Sequence, residues 1–183
     1  MRDELAADYH DREWGRPVHD EARLLEKVVL EGFQSGLSWD TILRKRPAFR
    51  AAFAGFSIEA VARFDAADEQ RLMADAGIVR NRAKIAAALS NARAAMALPE
   101  GLSALLWSFA PQPRPAPTSL EELPARTDES TAMAKELRRR GFVFVGPTTA
   151  YALMQATGMV DDHLAECWAR GTVDGPGTPR RTR

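Results

Sequence analysis

Side chains that bind metal ions stand near both ends of the chain. His163 and Cys167 are four residues apart, and His10 lies near the N-terminus in the segment Tyr9-His10-Asp11-Arg12-Glu13-Trp14-Gly15. Residues four apart on a helix project from one face, so the pattern predicts that His163 and Cys167 hold one ion together with a residue from the opposite terminus. The alternative is a hydrogen-bonded histidine and a small buried thiol.

A zinc site closed by protein side chains needs four ligands, and this sequence offers few of the usual ones. It contains one cysteine and three histidines. The remaining histidine, His19, lies beside a predicted helix start. The residue types therefore show three of the four ligands.

The composition is that of an ordinary globular domain. The chain has 183 residues, 45% apolar and 27% charged, which suits one domain spanning 1–183. No apolar run approaches the roughly 20 residues that span a bilayer, and the N-terminus lacks a signal-peptide core, so we expect a cytoplasmic protein with no membrane partner. A lone cysteine cannot form an intramolecular disulfide. The formal net charge of zero gives no global indication of nucleic-acid binding.

The apolar pattern is helical almost throughout and predicts an all-α protein. Residue types that cap helix N-termini mark the expected starts at Asp20, Ser38 and Asp65. Further helices are expected from about Asn81 and from Thr127 or Asp128. The first of these helices should end near Gly32 and the last at Arg140. Prolines predict an extended connector at 111–117, and a flexible basic tail is expected from about 172 to 183.

The segment 141–148 reads Gly-Phe-Val-Phe-Val-Gly-Pro-Thr and places a glycine turn directly before a helix that starts with Pro147. Main-chain N–H groups at such a turn, with the positive end of the helix dipole, form a site for a phosphate group without a charged side chain. A neutral protein can hold DNA in this way. Any helical bundle could use the same residues merely to turn, which is the alternative.

Glu31 follows Val28-Val29-Leu30 near the end of a predicted helix. There the helix dipole disfavours a negative charge, and apolar neighbours disfavour an ionised group. A carboxyl group in such a place is often functional. The alternative is an amphipathic helix on which Glu31 reaches solvent.

Several ordered motifs together resemble the 3-methyladenine DNA glycosylase I family of the helix-hairpin-helix superfamily. They are Tyr9-His10-Asp11 with Glu13-Trp14-Gly15, Leu30-Glu31-Gly32 with Gln34, Gly36-Leu37-Ser38-Trp39, Asp75-Ala76-Gly77-Ile78 with Arg80, Arg82 and Lys84, Trp107-Ser108-Phe109, Gly141 to Thr148, and Met154-Gln155-Ala156 through Asp162-His163 to Cys167. The resemblance covers nearly the whole chain. It implies two small helical lobes with a cleft between them.

The resemblance implies hydrolysis of the N-glycosidic bond of N3-methylated adenine in DNA, in base excision repair. Such a base is cationic and departs as a neutral molecule, so it needs little protonation. Glu31 would accept a hydrogen bond from the exocyclic amine of the base. Aromatic faces bind a cation with about 0.5–2 kcal/mol, and Tyr9, Trp14 and Trp39 are the expected pocket rings. Large aromatic residues are more often core, which is the alternative.

Double-stranded DNA carrying alkylated bases is the expected partner, met by a monomer. The damaged base must leave the duplex, and the resemblance places the Gly36-Leu37 turn against the vacated stack. Leu37 could instead be a core residue. Main-chain donors around Val145, Gly146 and Thr148 would hold the DNA backbone.

The resemblance also implies zinc, held by His10, His163, Cys167 and a cysteine upstream of the histidine that matches His10. That fourth position would fall before Met1. Either the chain is truncated at its start, or water, Asp or Glu completes the site, or the metal is lost. An aromatic residue that the family often has just before Tyr9 is replaced by Ala6.

Asp161 stands where the wider superfamily keeps a catalytic carboxylate, although the 3-methyladenine branch commonly has asparagine there. The hypothesis is that Asp161 assists hydrolysis and widens the substrate range. The alternative is a helix N-cap before His163.

Two other functions compete with the glycosylase. A non-catalytic helix-hairpin-helix module would bind damaged DNA without cutting the glycosidic bond. A metal-regulated helical interaction protein would bind zinc and show no salt-dependent affinity for DNA. The aromatic residues together with Glu31 argue against a nonspecific DNA binder.

Overall fold

The computed structural model describes residues 4–171, and all regular secondary structure in this range is helical. The α-helices are α1 Glu4–Arg12, α2 Glu21–Gln34, α3 Trp39–Ala52, α4 Ile58–Ala62, α5 Ala66–Ala74, α6 Arg82–Met96, α7 Leu102–Trp107, α8 Asp128–Arg139 and α9 Pro147–Ala156. Two 3₁₀ turns occupy Ala54–Phe56 and Leu120–Glu122. The all-α prediction is confirmed, and the predicted tail 172–183 lies outside the described residues. Within residues 4–171, no helix is long and apolar enough to cross a bilayer.

Helix α2 forms the centre of the core. It contacts α3, α4, α6, α7 and α9, and every residue from 24 to 33 is buried. Burial of one large apolar side chain contributes roughly 1.5–3 kcal/mol, so the leucines and valines of α2 stabilise the fold strongly. A helix enclosed in this way also buries polar positions, and Glu26, Lys27 and Glu31 are therefore inside.

The predicted helix starts are confirmed by their capping hydrogen bonds. The side chains of Asp20, Ser38 and Asn81 each accept from the main-chain N–H three residues later, over 2.9, 3.2 and 3.1 Å. Asp65 and Thr127 each begin a helix with reciprocal capping bonds. These interactions involve residues close in sequence, which is why the sequence predicts them well.

Helix α2 ends at Gln34, close to Gly32, near which the sequence predicted its end. The Lys84 ammonium group of α6 donates to the carbonyl oxygens of Phe33 at 2.9 Å and Ser35 at 2.6 Å. A cation bonded to the last free carbonyls stabilises the negative end of the helix dipole. This contact from a distant helix supports the last two residues of α2.

The connector 111–117 has no regular secondary structure, as predicted, and is tied to α9 by Arg114. The Arg114 guanidinium donates to the Tyr151 hydroxyl and, at 2.5 Å, to Oδ1 of Asp162. Oδ2 of the same carboxylate accepts from Tyr151 at 2.6 Å and from Gln155 at 2.8 Å. Asp162 is therefore fully occupied in joining the connector to α9.

Residues 161–171 form turns, so the expectation that His163 and Cys167 share a helix face is wrong. Asp161 accepts the His163 main-chain N–H at 3.2 Å. The Arg170 guanidinium donates to the carbonyl oxygens of Asp161 at 2.9 Å and His163 at 2.6 Å. Side chains thus occupy main-chain groups that a helix would pair internally.

The N-terminal and C-terminal segments touch where two glycines lie. The Gly15 N–H donates to the Gln155 carbonyl oxygen at 3.1 Å. A Cβ atom on Gly15 would lie 2.7 Å from Cε1 of His163, and one on Gly158, whose φ is +72°, would lie 2.4 Å from the carbonyl carbon of Arg16. No side chain fits at either position without moving the backbone or the imidazole ring.

Candidate active site

An aromatic pair lies between α1 and α3. Tyr9 is 7% exposed, and Trp39, which is partly buried, is the first residue of α3. Their ring centroids are 5.3 Å apart at an interplanar angle of 47°. Burial, followed by the Glu31 carboxylate, raises the pKa of Tyr9 far above its usual value, so the phenol stays protonated. Ala6, one turn before Tyr9, is exposed and adds no ring.

Glu31 lies in the last turn of α2, close enough to Tyr9 for its charge to act on the phenol. The side chain is buried, so the alternative that it reaches solvent is wrong. Burial raises the pKa of Glu31 to about 7, and Lys27 acts in the opposite direction. Both protonation states are therefore populated near neutral pH, a property that is common at functional sites.

Tyr9, Glu31 and Trp39 form the predicted base pocket, and Lys27 is a further member that was not predicted from the sequence. It is buried on α2, with Nζ 4.9 Å from the centre of the Tyr9 ring and 3.5 Å from Oε2 of Glu13. Burial lowers the pKa of Lys27, and Glu13 opposes that effect. Arg46 donates to both carboxylate oxygens of Glu13, at 2.6 and 2.8 Å, and its guanidinium carbon lies 5.8 Å from the Tyr9 ring centre. Two protein cations thus already lie near the Tyr9 ring.

The three predicted metal ligands meet at the other side of α1. His10, His163 and Cys167 offer ligand atoms that all lie within 4.8 Å of one another. Nε2 of His10 and Sγ of Cys167 are 3.8 Å apart. Zinc bonds of about 2.0–2.1 Å to nitrogen and 2.3 Å to sulfur, at a tetrahedral angle, would place these atoms about 3.6 Å apart. The spacing of the His10 and Cys167 donors is therefore close to that of zinc ligands.

Each histidine of this cluster is oriented by an aspartate. Nδ1 of His10 donates to Asp11 at 2.9 Å, and Nδ1 of His163 donates to Asp161 at 2.7 Å. Both Nε2 atoms are thereby left as acceptors, which is the tautomer that a metal requires. Nε2 of His163 is buried and has no hydrogen-bond partner among the described residues. This orphaned nitrogen argues against the alternative of an ordinary hydrogen-bonded histidine.

Asp161 uses both carboxylate oxygens near this cluster. Oδ1 accepts from His163, and Oδ2 accepts the Gly171 main-chain N–H at 3.0 Å. Burial tends to raise the pKa of Asp161, but the bonds from Gly171 and His163 outweigh it and lower the pKa overall. The proposed helix N-cap is wrong, since no helix follows within the described range. Assistance to hydrolysis stays a prediction.

Trp14 lies with the histidines and not with the aromatic pair. Its ring centroid is 4.7 Å from that of His163, edge to face, and 6.1 Å from that of His10 in a stacked arrangement. Its place in the base pocket stays a prediction. The ring packs against the cluster that His10 and His163 form.

The Gly36-Leu37 turn follows α2 directly. Gly36 has a φ of +80° and open space around its Cα, and Leu37 is 39% exposed. The alternative that Leu37 is a core residue is therefore wrong. An exposed apolar side chain on a turn next to Trp39 is free to contact a flat apolar surface, such as a base pair.

The hairpin between α8 and α9 begins its second helix as predicted, with Gly146 as N-cap and Pro147 first in the helix. No side chain caps this helix, so its N-terminal N–H groups are available to a phosphate. Thr148 is exposed. Val145 is 5% exposed, so its side chain belongs to the core.

A separate hollow of about 640 Å³ lies between α7 and α8, lined by residues such as Glu100, Phe109 and Glu136. None of the residues predicted for chemistry line it. The candidate site is therefore the buried group around Tyr9 and Glu31 together with the metal cluster, which adjoin at the consecutive residues Tyr9 and His10.

Comparison with known proteins agrees with this geometry. A family model described as methyladenine glycosylase matches residues 1–170. The chain is similar to the DNA-3-methyladenine glycosylase of Haemophilus influenzae, with 45% identity over 166 residues that cover 87% of this chain and 89% of the relative. It is also 45% identical over 172 residues to DNA-3-methyladenine glycosylase 1 of Escherichia coli, covering 91% of each chain.

Solved structures show the same fold. A crystal structure of 3-methyladenine DNA glycosylase I matches with a TM-score of 0.88 and 43% identity, over 92% of this chain and 95% of the other. A structure of the Staphylococcus aureus enzyme, solved to explain 3-methyladenine recognition, matches with a TM-score of 0.88 and 33% identity, over 92% and 93%. The helix-hairpin-helix glycosylase fold is thereby confirmed. The chain belongs to the methyladenine glycosylase family.

Proposed function

We propose that this protein is a DNA-3-methyladenine glycosylase, a hydrolase that cuts the N-glycosidic bond of N3-methylated adenine in double-stranded DNA. The observation that carries the proposal is the buried carboxyl group of Glu31, with a pKa of about 7, beside the Tyr9–Trp39 pair. Relatives with this fold carry that activity in their names. The protein would act in base excision repair, in the cytoplasm and as a monomer.

The reaction requires little acid catalysis from the protein. N3 methylation leaves the base cationic, so breaking the bond to deoxyribose releases a neutral molecule without prior protonation. Glu31 in its ionised form accepts a hydrogen bond from the exocyclic amine and supplies a negative charge opposite the cation. Trp39 and Tyr9 offer apolar ring surface, and exclusion of water strengthens each electrostatic contact.

Access to the pocket requires the damaged base to leave the duplex, which costs a few kcal/mol. Leu37 would occupy the vacated place in the stack, because it is exposed beside Trp39. The uncapped N-terminus of α9, around Gly146 and Thr148, would hold a backbone phosphate. These contacts carry no sequence information, which suits an enzyme that must find lesions anywhere.

We also propose a structural zinc ion held by His10, His163 and Cys167. The orphaned Nε2 of His163, the aspartate partner of each histidine and the donor spacing support it. A bound zinc ion would join the N-terminal helix to the turns after α9. Water or an Asp or Glu side chain would complete the coordination.

The test is release of free 3-methyladenine from methylated duplex DNA, with unmethylated DNA as the blank. Glu31→Gln should lower release about a hundredfold, because a hydrogen bond to a charged group is lost in a dry pocket. Glu26→Gln is the matched control, since Glu26 is a buried glutamate of α2 that pairs with Arg50 at 2.9 Å. It should retain activity.

Absence of release by a folded protein that still binds DNA would overturn the glycosylase. The non-catalytic DNA-binding module would then be favoured. Zinc binding without salt-dependent DNA affinity would favour the helical interaction protein.

A further inference from the structure

Two buried N–H donors in the base pocket have no acceptor. Nζ of Lys27 and Nε1 of Trp39 make no hydrogen bond to any residue within 4–171. Lys27 is 3% exposed. Both side chains contact the same ring, that of Tyr9. Buried donors without partners are rare in proteins, and a bound molecule that supplies acceptors to both would account for them.

Lys27 is balanced in charge but not in hydrogen bonds. Its nearest carboxylate is Glu13, at 3.5 Å. Both oxygens of Glu13 already accept closer bonds from Arg46, at 2.6 and 2.8 Å. The Lys27 ammonium group therefore keeps N–H donors for a ligand, while Glu13 stays paired even if Lys27 is replaced.

The spacing of Lys27 and Glu31 matches an adenine edge. They are four residues apart on α2, so a donor and an acceptor lie one turn apart on the same face of the helix. Adenine presents an exocyclic amine donor next to a ring-nitrogen acceptor, whereas guanine has a carbonyl oxygen in place of the amine. The Lys27 donor and the Glu31 acceptor complement these two groups of adenine. With guanine, the Glu31 carboxylate would instead face the lone pairs of a carbonyl oxygen.

We infer that Lys27 is a specificity-determining residue that donates a hydrogen bond to the ring nitrogen beside the exocyclic amine, while Glu31 accepts from the amine. The inference rests on the proposed function. Trp39 supplies a second donor to the same ligand. The sequence signal was present as a lysine one helical turn before Glu31, between Leu24-Leu25-Glu26 and Val28-Val29-Leu30.

Free 3-methyladenine is the appropriate probe. In DNA the methylated base is cationic, and the Lys27 ammonium group opposes that charge until the base departs as a neutral molecule. The neutral free base tests the hydrogen bond without this repulsion. Its dissociation constant can be measured by calorimetry for each variant, alongside the unfolding temperature.

Lys27→Met should weaken binding of free 3-methyladenine about tenfold, since it removes the donor and keeps a similar shape. Lys27→Gln keeps an N–H donor without the charge and should retain most of the affinity. Lys45→Met is the matched control, because the Lys45 ammonium group bonds to the carbonyl oxygens of Ala76 and Gly77 at 3.1 and 3.0 Å. It should bind like the unmodified protein.

A second measurement needs no variant of Lys27. The chain contains four lysines, so a protein labelled with ¹⁵N-lysine gives a simple spectrum. Saturating 3-methyladenine should shift and protect the Lys27 ammonium signal and leave that of Lys135 unchanged. No change in the Lys27 signal would overturn the inference even if both variants failed to fold.

The outcomes separate the two proposals. Equal affinity in Lys27→Met and the unmodified protein, or equal losses in Lys27→Met and Lys27→Gln, would overturn the role of Lys27 alone. An unmodified protein that neither binds free 3-methyladenine nor releases it from methylated DNA would overturn the proposed function, and this inference with it.

Discussion

The base pocket and the metal cluster share a helix but are held in place by different means. Tyr9 and His10 are consecutive, yet Tyr9 packs on the buried helix α2 and His10 faces turns that follow α9. Glu31 and Lys27 are fixed because α2 is enclosed on all sides. His163 is fixed by hydrogen bonds to Asp161. Packing therefore preorganises the pocket, whereas the cluster depends on polar contacts and, under the proposed zinc site, on an ion.

Metal removal should give the largest effect and should act on the cluster. A ligand present at about a thousand times its dissociation constant stabilises the folded state by about 4 kcal/mol. For a chain of this size, a chelator that removes zinc should therefore lower the unfolding temperature by about 10 °C. Zinc content and thermal unfolding with and without the chelator are the measurements.

The histidines provide a matched control for this experiment. His163→Ala should remove the response to the chelator, and His19→Ala should keep it, because His19 stacks on Trp107 with centroids 4.3 Å apart and takes no part in the cluster. A zinc-free protein that unfolds at the same temperature as the purified one would contradict the structural role.

The second-largest effect should be a pH dependence of stability that arises from the pocket. Glu31 has a folded-state pKa of about 7 against an ordinary value of 4.5, so the folded protein binds this proton more tightly than the unfolded chain. The free energy of unfolding should therefore fall as pH rises from about 4.5 to 7, by up to about 3 kcal/mol from this group. Glu31→Gln should lack this decrease. Parallel curves of stability against pH for the unmodified protein and Glu31→Gln would refute the raised pKa of Glu31.

Activity should depend on the same proton of Glu31, but it should rise with pH where stability falls. Ionised Glu31 is the form that accepts from the amine, so release of 3-methyladenine should decline as pH falls below about 7. The protein is thus least stable at the pH at which it is most active. A rate that does not change between pH 8 and pH 5.5 would contradict this.

Asp161→Asn should have the smallest effect and should touch only the cluster. Loss of the carboxylate behind a ligating histidine typically costs 10–100-fold in metal affinity, and the amide can still accept from Gly171, so we expect about tenfold weaker zinc binding. Competition with a chromophoric chelator measures it. An unchanged zinc affinity would show that Asp161 does not support His163. The same variant tests assistance to hydrolysis, since an unchanged range of released lesions would exclude it.

The parts of the fold that sequence predicts are those set by neighbouring residues. Asp20, Ser38 and Asn81 cap their own helices, and Pro147 starts α9, so a local pattern is sufficient. The three predicted metal ligands do lie together, and their types alone indicated this because His and Cys are scarce in this chain.

Long-range contacts set the parts that the sequence did not predict. Lys27 has the spacing of an exposed residue on an amphipathic helix, and only the helices packed around α2 bury it. The spacing of His163 and Cys167 fits a helix and a pair of turns equally well, and the side chains of Asp161 and Arg170 decide for turns. The last turn of α2 is bonded by Lys84, which lies 51 residues after Phe33 in the chain.

Two glycines limit which substitutions this chain can tolerate. Gly158 lies against the backbone of Arg16, and Gly15 lies against the imidazole ring of His163. A library of random substitutions, selected for survival under alkylating stress, should return only glycine at these two positions. Neither residue offers a functional group to a base or an ion. Their intolerance would come from a lack of room, and a survey of variants could mistake it for chemistry.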